Sequence, residues 1–175
     1  MRTTAAGERR SPRGFSLIEL LIVVAIILII AAIAVPNFMR SRMAANESAA
    51  VTYLRAINTA SVAYSSTYGN GYPPDLATLG PPPGGGGGPT CDSADLIDAL
   101  LAAGQKSGYI FTYTAGAAIG GAAAGCTNPG LIAYSVNANP LTPGATGQRY
   151  FFSDESNVIR FNVQQQAGVA DQPID

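Results

Sequence analysis

At 175 residues and 47% hydrophobic content, the chain has room for one globular domain and an extension. Its formal net charge of -1 hides an asymmetry: Arg2, Arg9, Arg10 and Arg13 face only Glu8 in the first fourteen residues, whereas residues 15 to 175 hold six basic and ten acidic groups. The later chain therefore offers no overall positive field for nucleic acid, and with no His and two Cys there is no donor set for a structural zinc site.

The apolar excess is concentrated in one run, Leu20 to Val35, preceded by the basic leader. A secretory signal peptide places its small-residue cleavage site after the apolar stretch. Here the small residue, Gly14, comes before it, so cleavage there would leave the apolar segment on the mature protein. The 21 residues from Phe15 to Val35 cover roughly 30 Å as a helix, the thickness of a bilayer's hydrocarbon core. The basic leader predicts a cytoplasmic N-terminus and residue 40 onward outside, against a weaker opposing bias from Arg40 and Arg42.

Glu19 stands one turn inside this segment, where an ionised carboxylate costs several kcal/mol unless it is paired or protonated. Cleavage after Gly14 would supply a partner, because the new α-amino group of Phe15 lies four residues away, or beside the Glu19 of a staggered neighbour. The plainer reading puts Glu19 at the membrane interface, favoured by the helix dipole.

The stretch Arg13-Gly14-Phe15-Ser16-Leu17-Ile18-Glu19-Leu20-Leu21-Ile22-Val23-Val24 resembles the processing and methylation signature of type IV pilins and type II secretion pseudopilins. The resemblance implies that a membrane prepilin peptidase cuts between Gly14 and Phe15 and methylates the Phe15 amine. It also gives Glu19 the role of registering subunits during assembly. Pro36 matches a family position where the long helix bends, and proline by itself removes one helical hydrogen bond. The likeness is close over residues 9 to about 66 and weaker beyond.

After Pro36, Ala50, Leu54, Ile57, Ser61, Tyr64 and Tyr68 recur at spacings of four and three, the stripe of a helix laid against a sheet. One helix is expected from about Ser16 to Ser66, roughly 75 Å long, with Arg40, Arg42, Asn46 and Arg55 solvated or touching neighbouring subunits. The Gly and Pro residues between Tyr68 and Pro89 stop it. Their glycine run lacks the Lys and Ser/Thr of a phosphate-binding loop and reads as an insertion.

A short helix is expected through Ala103, capped by Asp92 or Ser93, with Leu96, Ile97, Leu100 and Leu101 on its apolar face. Asp92, Asp95 and Asp98 would then share one side, a spacing that suits a cap and a solvated face better than a loop-type calcium site. Four alternating segments follow, Tyr109–Thr114, Leu131–Val136, Arg149–Ser153 and Val158–Val163, with Ile132, Tyr134 and Val136 on one face of the second. Asp154 to Asn157 supplies a turn between the last two, and the Gln-rich tail after Val163 reads as mobile. Cys91 and Cys126 would pair if the domain lies outside the cytoplasm and stay as thiols if it does not. A bridge closing that 36-residue loop stabilises by about 3.5 to 4 kcal/mol.

The expected fold is α+β and pilin-like, a long N-terminal helix whose outer half packs on a small antiparallel sheet. Its parts are a removed leader over 1–14, a membrane and filament-core half-helix over 15–36, an outer half over 37–66, a Gly/Pro-rich loop with a short helix over 67–107, and the sheet with its tail over 108–175. No catalytic constellation, metal or cofactor is expected. The resemblance implies a structural subunit of a type IV pilus-like filament, a homo-oligomer placed in the inner membrane by its N-terminal helix, processed by prepilin peptidase and assembled by the inner-membrane pilus or type II secretion machinery. The alternatives are a type II secretion pseudopilin or minor pilin, since the cysteines lie mid-chain rather than around a C-terminal loop, and a single-span membrane protein with an outer ligand-binding domain.

Overall fold

The computed structural model describes residues 14–174, so the basic leader and its charge asymmetry lie outside the described residues. The chain falls into two units, one ending at Phe38 and the other running from Met39 to Asp175. Helix α1 (Leu17–Tyr68) contributes to both and runs helical through Pro36. The expected bounds, Ser16 and Ser66, are met to within two residues.

In the second unit the apolar stripe behaves as its spacing predicts. Ala50, Leu54, Ile57, Ser61 and Tyr64 are fully buried on α1, and Tyr68 is half-buried. They pack against a six-stranded antiparallel sheet in which each strand neighbours the next in sequence: β1 (Gln105–Lys106), β2 (Tyr109–Ala115), β3 (Tyr134–Pro140), β4 (Tyr150–Asp154), β5 (Arg160–Asn162) and β6 (Gln172–Pro173). The register places Phe111 opposite Ala138, Tyr113 opposite Val136, Ala138 opposite Phe151, and Phe151 opposite Phe161. One apolar face thus lies on the helix, each fully buried large side chain contributing about 1.5 to 3 kcal/mol.

Buried and half-buried tyrosines bring hydroxyls to this core, and each of the three has an acceptor. Tyr109 donates to the Arg149 carbonyl at 2.9 Å, Tyr113 to the Pro73 carbonyl at 2.7 Å, and Tyr134 to Asn58 Oδ1 at 3.1 Å. Burial pushes all three phenols up, that of Tyr134 to about 12, so they remain neutral donors at physiological pH. Asn58 completes the link by donating to Ser153 Oγ at 2.7 Å, tying α1 to β4.

Several expectations are corrected here. The short helix is only one turn, α2 (Ala99–Ala102), and its cap is Asp98, which accepts from the Leu100 and Leu101 amides. Thr90 and Ser93 are instead bridged to each other and Asp95 sits at a φ of 51°, so Asp92, Asp95 and Asp98 share no helix side. Of the expected apolar face, Ile97 and Leu101 are buried whereas Leu96 and Leu100 are exposed.

The second strand is Tyr134–Pro140 rather than Leu131–Val136, and Ile132 is 61% exposed. Leu131 is diverted because its backbone exchanges hydrogen bonds with Tyr72, at 2.9 and 2.8 Å. The last expected strand, Val158–Val163, shortens to Arg160–Asn162 and leaves Val163 exposed.

The Gln-rich tail is built into the sheet as β6, where Asp171 accepts from Asn162 Nδ2 at 2.8 Å and from the Gly168 amide at 2.8 Å. Asn137, buried on β3, donates to the Ala167 carbonyl at 2.7 Å and fixes the tail's start. Asn46 is half-buried and donates to the Thr146 carbonyl at 2.8 Å, so it is not simply solvated.

Candidate assembly site

The first unit carries the residues singled out for processing and assembly. Gly14 is exposed, with open space where a side chain would begin, and Phe15 is 80% exposed. Because α1 starts at Leu17, Ser16 occupies the N-cap position and Glu19 the third helical position. The Ser16 amide donates to Glu19 Oε2 at 3.1 Å, one half of a capping box. With Gly14 joined to Phe15 the Phe15 nitrogen is a peptide nitrogen, and the Glu19 carboxylate accepts from the Ser16 amide. The Ser-x-x-Glu pattern at 16–19 was the signal that sequence reasoning passed over.

Beyond Glu19 every large side chain up to Val35 is apolar and exposed, including Leu20, Ile22, Ile26, Ile29, Ile33 and Val35. Among the described residues α1 is the one helix long and apolar enough to cross a membrane, and its most apolar window has no buried residue. Such a surface belongs in lipid or against other helices. Near its end, Pro36 leaves the Ala32 carbonyl without its usual amide donor, and Asn37 Nδ2 donates to the Ile33 carbonyl at 3.1 Å.

In the second unit Cys91 and Cys126 form a disulfide, with their Cα atoms 5.1 Å apart. Asn70, fully buried just after α1, donates to the Asn128 carbonyl at 3.0 Å and accepts from the Ala123 amide at 2.9 Å. Tyr64 donates to the Cys91 carbonyl at 3.0 Å. Asp92 accepts from the Thr127 amide at 3.0 Å and the Thr127 hydroxyl at 2.7 Å, which lowers its pKa. The bridge therefore joins two loops already hydrogen-bonded to each other and to the end of the helix. Replacing Tyr64 with Phe leaves the Cys91 carbonyl without that donor and is expected to destabilise the unit by about 1 to 2 kcal/mol. A shift of the urea midpoint for the detergent-solubilised chain measures it.

Glu47 is a second residue that periodicity did not expose. It is only 8% exposed, and its Oε1 accepts from the Gln148 and Arg149 amides at 2.8 and 3.2 Å, while Oε2 accepts from Arg149 Nε at 2.7 Å. Burial raises its pKa, but the Gln148 amide and the Arg149 donors outweigh that and the net shift is downward. A depressed carboxylate contributes stability that is complete above its unfolded pKa, near 4.5, and lost as pH falls through the lower folded value. Glu47→Gln is expected to cost about 2 to 3 kcal/mol at pH 7 and to flatten the stability profile below pH about 4.5. Urea midpoints for both proteins from about pH 3, below the unfolded pKa, to about pH 7, above it, test both effects.

The family described as "Prokaryotic N-terminal methylation motif" matches residues 9–35. The chain is 54% identical over 54 residues to the type IV major pilin protein PilA of Myxococcus xanthus, a stretch covering 31% of this chain and 24% of that protein. It is 51% identical over 45 residues to the type IV wide pilus major component PilA4 of Thermus thermophilus, covering 26% of this chain and 34% of the relative. The matched stretch thus spans only about a quarter to a third of the length of these curated relatives. No solved structure matches the chain.

Proposed function

We propose, from an N-terminal segment that belongs to the type IV pilin family, that this chain is a structural rather than catalytic protein, the subunit of a type IV pilus-like filament. The reading rests on one observation above the others: a helix apolar on all sides from Leu20 to Pro36, preceded at its entry by the carboxylate of Glu19. Such a helix is stable in the inner membrane as a single span and leaves lipid only for a bundle of like helices. In this reading prepilin peptidase removes residues 1–14 on the cytoplasmic side, Phe15 becomes the methylated N-terminus, and the outer unit lies beyond the membrane. The disulfide supports an oxidising location for that unit.

Assembly follows from electrostatics in a low-dielectric shaft. Before cleavage, Glu19 is satisfied by Ser16 within its own helix. Cleavage adds a cation at Phe15, and the Glu19 carboxylate of an incoming subunit gains its strongest available partner there, which fixes the axial stagger. Machinery in the inner membrane would move the subunit from lipid into the growing bundle.

The mid-chain position of the cysteine pair keeps the pseudopilin as the second reading. Filaments sheared from intact cells and probed for this chain separate the two: surface fibres containing it are expected for the pilus, and a chain confined to the periplasm would favour the pseudopilin.

A further inference from the structure

Charges in the outer unit are mostly settled within it. Lys106 pairs with Asp98 at 2.6 Å, Arg149 with Glu47, and Arg160 Nη1 donates to the Asp171 carbonyl at 2.9 Å. Among the described residues, Arg40, Arg42 and Arg55 enter no ion pair, and all three are exposed. Arg40 lies at the lower end of the unit on the rim of a cleft whose other walls are Met43, Ala44, Glu47 and Gln148. Glu47 within that cleft is already neutralised by Arg149, so Arg40 gives the cleft an unanswered positive charge.

A complementary charge lies further along the same unit, at the far end of strand β4. Strand β4 runs along α1, from Arg149 beside Glu47 to Ser153 beside Asn58. It ends in the turn Asp154–Asn157, where Asp154 accepts from the Ser156 amide at 3.0 Å and Glu155 is exposed and enters no ion pair among the described residues. From Arg40 to the level of Asn58 is eighteen helical residues, about 27 Å, too far for contact inside one chain.

We propose that the Asp154–Glu155 turn of one copy docks against the Arg40 cleft of the next, a head-to-tail contact between two copies of this chain. The interface is heterologous, since each copy offers a different patch to either neighbour, and a heterologous contact that does not close propagates as an open filament. It rests on the filament reading and adds to it a second point of registration, outside the apolar shaft, that acts through charge.

The full chain with Arg40→Cys and Glu155→Cys together provides the test, because both native cysteines are already bonded. Mild oxidation of filament-bearing cells is expected to give a ladder of covalent dimers, trimers and higher species, with no ladder from either single variant. Filaments visible by electron microscopy but monomeric on the gel, or a series that stops at the dimer, would overturn the interface while leaving the pilus reading in place. Absence of filaments from the unsubstituted chain would remove that reading itself. In a second arm, Arg40→Glu is expected to lower filament yield roughly tenfold and Glu155→Arg in the same chain to restore it. Asp95→Arg, at another exposed carboxylate that enters no ion pair among the described residues, is expected not to restore it; equal rescue by that change would also overturn the pairing.

Discussion

Glu19→Val should insert into the membrane as the parent does and yet yield at least about tenfold fewer filaments, because the pairing of close charges in a desolvated interface is worth well over 1.4 kcal/mol. Valine suits the surrounding apolar segment and removes a desolvation cost, so membrane insertion has no reason to suffer. What it removes is the one anion in the apolar shaft that can answer the Phe15 amine of another subunit. The same change also deletes the bond from the Ser16 amide to Glu19 Oε2, which holds the first turn of α1. Glu19→Gln separates the two effects. Glutamine still accepts from the N-cap amide, so it preserves the helix start while losing the charge. Filament loss in both variants assigns the defect to charge pairing, whereas normal assembly of Glu19→Gln would assign it to the cap.

Removing the disulfide has the second large effect expected, on stability rather than assembly chemistry. With Cys91 and Cys126 both changed to Ser, the loss of loop-closure constraint alone is worth about 3.5 to 4 kcal/mol. Part of this remains offset, because Asp92 and Thr127 tie the same two loops together beside the bridge and Asn70 fastens the second loop to the end of the helix. The expected result is a folded but weakened unit whose urea midpoint falls by most of that amount, and whose loop 80–98 becomes the first site of proteolysis. A midpoint unchanged by the double substitution would show that the hydrogen bonds alone carry the loops. The disulfide places Cys91 against Tyr64, so the cost of Tyr64→Phe should differ with and without the bridge.

The sequence was most informative where a single physical constraint acted alone. The α1 stripe from Ala50 to Tyr68 could be read because 3.6-residue periodicity is imposed by burial against one flat sheet, and nothing in the helix competes with it. Strand β4 and its turn to β5 were legible for the same reason, with alternation followed by Asp154-Glu155-Ser156-Asn157 turn chemistry. Segments with two competing partners were not legible. Ile132 alternates correctly with Tyr134 and Val136, yet the neighbouring Leu131 is captured by Tyr72, so the strand begins later and continues through Asn137 and Asn139. Those asparagines look like loop residues until Asn137 is seen to bind the tail at Ala167.

Within the candidate site, Glu19 stood out because a lone carboxylate in an apolar run is costly, and its partner Ser16 did not because a serine before a helix is common. Glu47 and Asn70 left no trace in periodicity. Their partners, backbone groups and the Arg149 guanidinium, lie a hundred and more than fifty residues away, and only the folded chain brings them together.

Mass spectrometry of the mature N-terminus tests the central claim most directly. A chain that begins at Phe15 and carries a methyl group on its amine is the expected product. A chain that retains residues 1–14 in cells possessing the peptidase would contradict it, because the cation that Glu19 requires would never have been made.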